Sequence, residues 1–198
     1  MGKPGNEHLS KAEWRSRITA ERRSQVPEDR AREAVSLAAA AALLPGAVVC
    51  AYVPFGTEPG STLLLDQLAD QGKRVLLPIV PAEPGPLGWA AYEGPSSLAP
   101  GRLRGLLEPT GRRLGPDTLG TADLVLIPAL AVDDEGVRLG RGAGYYDRSL
   151  AFAAPDAALI AVVRDVELVH ALPSEPHDVR MTGVLTPDQG AAPRPVIH

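Results

Sequence analysis

Residues 138 to 148 read RLGRGAGYYDR, which puts three glycines, three arginines, two tyrosines and an aspartate into eleven positions. Glycines at 140, 142 and 144 let a backbone approach a ligand closely and turn its amides inward. Arg138, Arg141 and Arg148 can fork onto phosphate oxygens, and a helix starting near Tyr145 would add its positive end. The combination predicts a phosphate cradle. It matches neither GxGxxG nor GxxxxGKS, so it is neither a dinucleotide fingerprint nor a Walker A loop. A glycine-rich surface turn with solvated arginines is the competing reading, and the aromatic and acidic neighbours favour the ligand.

Asp147 stands beside this cradle. Magnesium keeps several waters and takes one or two protein carboxylates plus phosphate oxygens, so Asp147 could hold it, or could simply suit the first turn of its helix. Lys11 and Arg15 share a helix face, with Arg22 two turns on from Arg15. Spacing alone favours a solvated basic face there, with an anion site as the alternative. Glu58, in the turn PFGTEPGST (54–62), could hold a cationic or amide-bearing ligand or could face water; both readings stay open. His170 and His177 lack metal-ligand spacing and read as loop or packing residues. Cys50 reads as a small core residue.

The elements that must position these residues alternate along the chain. SKAE is a capping box, Ser10 with Glu13, that opens a basic helix through Arg23. Pro27, Glu28 and Asp29 open a second helix that ends at LLPG, 43–46. Apolar strands are expected at 47–54, 74–80, 122–130, 157–163 and 181–187. A helix closed by Gly72 is expected over 62–73, and another from Tyr145 to Ala153. Residues 81–121 are rich in Gly and Pro, with one short strand at GWAAYEG. Strands that are apolar throughout and separated by helices imply a mostly parallel sheet with helices on both faces, a three-layer αβα member of the α/β class. Residues 1–198 read as one domain with residues 1–8 disordered.

Charged residues are 22% of the 198 and the net charge is -4, which argues against broad electrostatic binding to nucleic acid or acidic membranes. Any anion site must be local. One cysteine excludes an intrachain disulfide, and no apolar run approaches a membrane span. No apolar stretch follows the first charges of MGKPGNEHLSKAEWRSRI, so no signal peptide is expected. A cytoplasmic monomer is the expectation.

The segment LIPALAVDDEGVRLGRGAGYYDRSL closely resembles the signature of the 5-formyltetrahydrofolate cyclo-ligase (methenyltetrahydrofolate synthetase) family. The likeness continues in order through KAEWR, YVPFGTEPGST, GKRVLLP, LLEP and LPSEPHDVRMTGVLTP. It implies a three-layer α/β fold and an ATP- and Mg2+-dependent conversion of 5-formyltetrahydrofolate, with or without a polyglutamate tail, to 5,10-methenyltetrahydrofolate. In the family's mechanism the formyl oxygen takes the terminal phosphoryl group, N10 attacks the activated carbon, and ADP and phosphate are released. No protein nucleophile is required.

The resemblance also implies residue roles. Lys11 and Arg15 match ATP contacts, as does the loop of Arg138, Leu139, Gly140, Arg141, Gly142, Ala143, Gly144, Tyr145 and Tyr146. Arg141 through Tyr145 would also border the folate, together with Val53 and Glu58. Asp147 matches a magnesium ligand, and Arg141 is the expected catalytic residue. Three positions depart from the family pattern. Thr182 stands where many members carry a second magnesium aspartate, so that Asp178, Asp188 or water would serve. Leu106 and Leu107 replace an aromatic residue, and Ala143 replaces Lys or Gly. The alternatives are a noncatalytic folate or nucleotide binder, which would use the same loop without turnover, and a sugar-phosphate isomerase, which would need a carboxylate base and no ATP.

Overall fold

Strands with no polar alternates must be covered on both faces. The computed structural model, which describes residues 9–176 and 178–193, contains such a sheet. In chain order the strands are β1 Val48–Cys50, β2 Arg74–Ile79, β3 Gly88–Ala91, β4 Leu98–Pro100, β5 Leu107–Pro109 and β6 Leu124–Pro128. They continue as β7 Ala131–Asp133, β8 Arg138–Leu139, β9 Ala158–Val162, β10 Leu168–Val169, β11 Gly183–Thr186 and β12 Gly190–Pro193. The α-helices are α1 Lys11–Ser24, α2 Pro27–Ala42, α3 Thr62–Asp70 and α4 Tyr145–Ser149. The expected disorder of 1–8 and the role of His177 lie outside the described residues.

The main sheet runs β12-β11-β9-β6-β1-β2-β3. Pairing is parallel from β11 to β2, and the edge strands β12 and β3 are antiparallel. This is the mostly parallel α/β sheet expected. Side chains alternate between its faces: Val49, Leu77, Leu124 and Leu126 pack toward α2 and α3. Cys50, Leu76, Val125 and Ile127 pack the other way, with Trp89 and with Leu119 and Leu150 from 3-10 turns. α4 adjoins that second layer, where Tyr145 and Tyr146 border the same cluster.

The helix signals hold. The Glu13 amide donates to Ser10 Oγ at 3.3 Å and the Ser10 amide to Glu13 Oε2 at 2.8 Å, a capping box at the start of α1. Gly72, at φ +76°, takes the left-handed conformation that closes α3.

Several expectations are corrected. The strand expected at 47–54 pairs only over β1; the Ala51 amide still reaches the Leu76 carbonyl at 2.9 Å, after which the chain leaves the sheet to form a turn. The expected helix 145–153 is α-helical only to Ser149, whose hydroxyl occupies the Tyr145 carbonyl at 2.7 Å and accepts from the Leu87 amide at 2.8 Å. A 3-10 turn, Leu150–Phe152, follows. The stretch 81–121 is more regular than its composition suggests, with β3 and a β4–β5 hairpin. A second small sheet, β10-β7-β8, supports α1 through Trp14 and Ile18 packed on Ala131 and Leu139.

Arg22 is not on a solvated face. It is 3% exposed, with Nε 2.6 Å from Glu167 Oε1.

Candidate active site

Parallel strands that end on one edge leave a crevice beyond their carboxyl ends. Here Val53 after β1, Pro78 and Val80 at the end of β2, and Pro128 closing β6 line a cleft at that edge. Leu87, Leu103 and Leu106 extend its apolar lining. Residues of the 138–147 loop complete it. The space between these walls is about 880 Å³, counting the open solvent at the mouth.

The loop is held by arginines. Arg15 Nε donates to the Gly140 carbonyl at 2.9 Å, reaching the loop from α1. A Cβ on Gly142, at φ +98°, would lie 3.3 Å from the Arg15 guanidinium carbon. Arg148, expected among the phosphate ligands, donates instead to the Ala143 carbonyl at 3.0 Å and the Gly85 carbonyl at 3.1 Å. Its guanidinium also lies over the Tyr145 ring, 5.5 Å from the centroid. It ties the loop to the segment before β3.

Arg138 has a side chain only 6% exposed and pairs with Asp147. Among the described residues its Nε and the Tyr146 hydroxyl are buried without hydrogen-bond partners, and burial pushes that hydroxyl well above the ordinary tyrosine range. Unmatched buried donors in a cleft wall fit a ligand that brings acceptors.

Glu58 and Arg141 form the polar centre. Arg141 Nε lies 3.0 Å from Glu58 Oε1, and its guanidinium sits 4.8 Å from the Phe55 ring centroid. Burial raises the Glu58 carboxyl above the usual carboxylate range, with Arg141 partly offsetting the rise. Cys50, pushed up to about 12 by burial, is the inert core thiol expected.

The fold thus brings Val53, Glu58, Arg138, Gly140, Arg141, Gly142, Ala143, Gly144, Tyr145, Tyr146 and Asp147 to one cleft. Of the others, Arg15 reaches the loop backbone at Gly140 without lining the cleft, and Leu139 and Lys11 do not line it. Leu139 is 2% exposed and faces α1. Lys11 pairs with Asp178 at 3.1 Å and with Glu175 at 3.5 Å. Thr182 lies before β11, its hydroxyl bonded to the Leu159 amide at 2.9 Å and to the Leu159 carbonyl at 3.2 Å. Leu159 is near the amino end of β9, so Thr182 sits at the sheet edge opposite the cleft. Asp178 and Asp188 do not line the cleft either.

Among the described residues no three His, Cys, Asp or Glu side chains converge on a metal position. Asp147 has a 59% exposed side chain at the cleft. One accessible carboxylate fits magnesium, which retains waters and phosphate oxygens, rather than a metal caged by protein.

A profile of the 5-formyltetrahydrofolate cyclo-ligase family matches residues 7–187. The 5-formyltetrahydrofolate cyclo-ligase of Mycolicibacterium smegmatis is 49% identical over 187 residues, 91% of this chain and 95% of that protein. The chain belongs to the 5-formyltetrahydrofolate cyclo-ligase family. The cyclo-ligase of Escherichia coli is 33% identical over 143 residues, covering 71% of this chain and 78% of its own. Among solved structures, the Aquifex aeolicus 5,10-methenyltetrahydrofolate synthetase superposes with a TM-score of 0.77 at 26% identity, over 96% of this chain and 94% of that one.

The departures from the cyclo-ligase family pattern acquire places in the structure. Leu106 lines the cleft, whereas Leu107 is 38% exposed. Sequence reasoning missed Tyr52, Phe55 and Leu103. Phe55 carried a signal, being one of two phenylalanines and three residues before Glu58. No helix among the described residues is long and apolar enough to cross a membrane.

Proposed function

We propose that this chain converts 5-formyltetrahydrofolate to 5,10-methenyltetrahydrofolate, using ATP and Mg2+ and releasing ADP and phosphate. The observation that carries the reading is the meeting of a buried carboxylate, Glu58, with the glycine-rich loop at Arg141 in one mostly apolar cleft. The apolar wall of Val53, Val80, Leu87 and Leu106 suits a pterin ring system. Glu58, an acceptor in that wall, suits the ring's N–H groups. Gly140 to Gly144 leave room for phosphates, and Arg138 and Arg141 offset their charge.

The formyl oxygen attacks the terminal phosphorus as the bond to ADP breaks. N10 then bonds to the activated carbon and gives up its proton, and the carbon–oxygen bond breaks to release phosphate. The residues bind, orient and stabilise charge; positioning of this kind is worth up to about 7–11 kcal/mol. Magnesium, when bound, would neutralise part of the phosphate charge, and Asp147 is the carboxylate suited to hold it.

The test is near-ultraviolet absorbance of the methenyl product with purified protein, 5-formyltetrahydrofolate, Mg2+ and ATP. A rise that requires both ATP and Mg2+ is expected. ATP binding without a rise would instead identify a noncatalytic binder.

A further inference from the structure

The peptide carbonyls on either side of Glu58 are gripped by buried donors. Arg164 Nη1 donates to the Thr57 carbonyl at 3.2 Å, and the Tyr52 hydroxyl donates to the Pro59 carbonyl at 2.7 Å. Segment 54–60 belongs to no helix or strand, and Gly56 and Gly60 take φ of +64° and +95°. The direction in which Glu58 enters the cleft is therefore not imposed by a regular element.

Both donors are fixed in turn. Tyr52 is 3% and Arg164 5% exposed. Arg164 Nε donates to Glu33 Oε2 on α2 at 2.7 Å, and the Arg164 amide to Glu167 Oε2 at 2.8 Å. Glu167 receives Arg22 from α1 at 2.6 and 2.7 Å, and Arg22 also donates to the carbonyl of cleft residue Ala129 at 2.7 Å. A buried ion network of this kind is weak evidence for stability, because desolvation offsets its attraction. Its geometric output here is one anchored carbonyl beside Glu58.

We propose that Arg164 and Tyr52 are positioning residues that set the orientation of Glu58 toward the cleft. The proposal rests on the folate reading only where substrate kinetics are used to test it. The titratable and charged groups acting on the Glu58 carboxylate are Arg141, Arg22, Tyr52 and Tyr146.

The experiment uses the full chain with Tyr52→Phe and Arg164→Lys, each alone and combined with Glu58→Gln. Two readouts are taken: KM for 5-formyltetrahydrofolate and for ATP, and the Glu58 carboxyl titration by carbon-13 NMR in the ligand-free protein. Each single replacement should raise the folate KM roughly three- to tenfold and leave the ATP KM within about twofold. In the Glu58→Gln background the same replacement should add less than about twofold. The Glu58 titration should move down toward the ordinary carboxylate range as the loosened side chain gains water. An unmoved titration in both variants, parallel rises in both KM values, or an equal folate effect without Glu58 would overturn the proposal. Failure of the folate reading looks different: Glu58→Gln alone leaves the folate KM unchanged while the Glu58 titration still moves in Tyr52→Phe and Arg164→Lys. Should Arg164→Lys fail to fold, Tyr52→Phe, which removes a single oxygen, decides the matter.

Discussion

Arg141 and Glu58 meet at 3.0 Å in the cleft with very unequal exposure, 44% for the arginine side chain and 5% for the glutamate. The glutamate is enclosed, whereas the arginine borders solvent while lying over the Phe55 ring. If Arg141 swings onto a phosphate, Glu58 is left as an uncompensated buried charge unless another donor replaces it. Under the proposed function, N–H groups of a pterin would supply that donor, and occupancy of the two halves of the cleft would be linked.

Arg141→Ala should lower kcat by about 10²–10³-fold, the usual loss on removing one preorganised donor from a developing charge. The variant should still fold, with a melting temperature lowered at neutral pH because Glu58 loses the guanidinium that offsets its burial. A near-normal rate would remove Arg141 from the catalytic role.

The raised Glu58 carboxyl has a stability consequence with a definite sign. The folded protein holds this proton more tightly than the unfolded chain, in which glutamate titrates at about 4.3. Its contribution is fully present below that value and is lost as pH rises through the folded pKa. Urea midpoints of wild type relative to Glu58→Gln should therefore fall from mild acid to neutrality. A pH-independent difference would show that Glu58 is not raised.

Gly144→Ala should weaken ATP binding and destabilise the fold by about 1–3 kcal/mol, the usual range for strained backbone positions. Its φ is +70°, and the added Cβ would fall 2.8 Å from an Arg148 guanidinium nitrogen. ATP titration and thermal melts check both effects. An unchanged ATP affinity would place the phosphates elsewhere.

Asp147→Asn should raise the half-saturating Mg2+ concentration about tenfold or more, as loss of the carboxylate proposed to hold the ion would require. Stability without Mg2+ should fall, because the buried Arg138 guanidinium loses its carboxylate partner.

Thr182→Ala should do the reverse. Its hydroxyl bonds only the Leu159 backbone among the described contacts, so stability should fall by about 1 kcal/mol while the Mg2+ dependence stays unchanged. A changed Mg2+ requirement would bring Thr182 back to the metal.

The α/β class, the capping box at Ser10, the Gly72 helix stop and the cluster of glycines, arginines and tyrosines at 138–148 were all legible in the sequence alone. Each is a local signal: apolar periodicity, a four-residue cap or a cluster of residue types is complete within one contiguous stretch. Tertiary structure alone decided which of the charged residues share a site. Arg22 and Arg15 lie on the same helix with like charge, yet one is buried against Glu167 and the other reaches Gly140. Leu139 and Gly140 are neighbours, but β8 pairing turns the first toward Trp14 and leaves the second in the cleft. Strands as short as β8 and β10 carry no period to read. The partners of Arg22, Arg141 and Arg164 come from distant segments, and only the folded sheet and its packed helices bring them within reach.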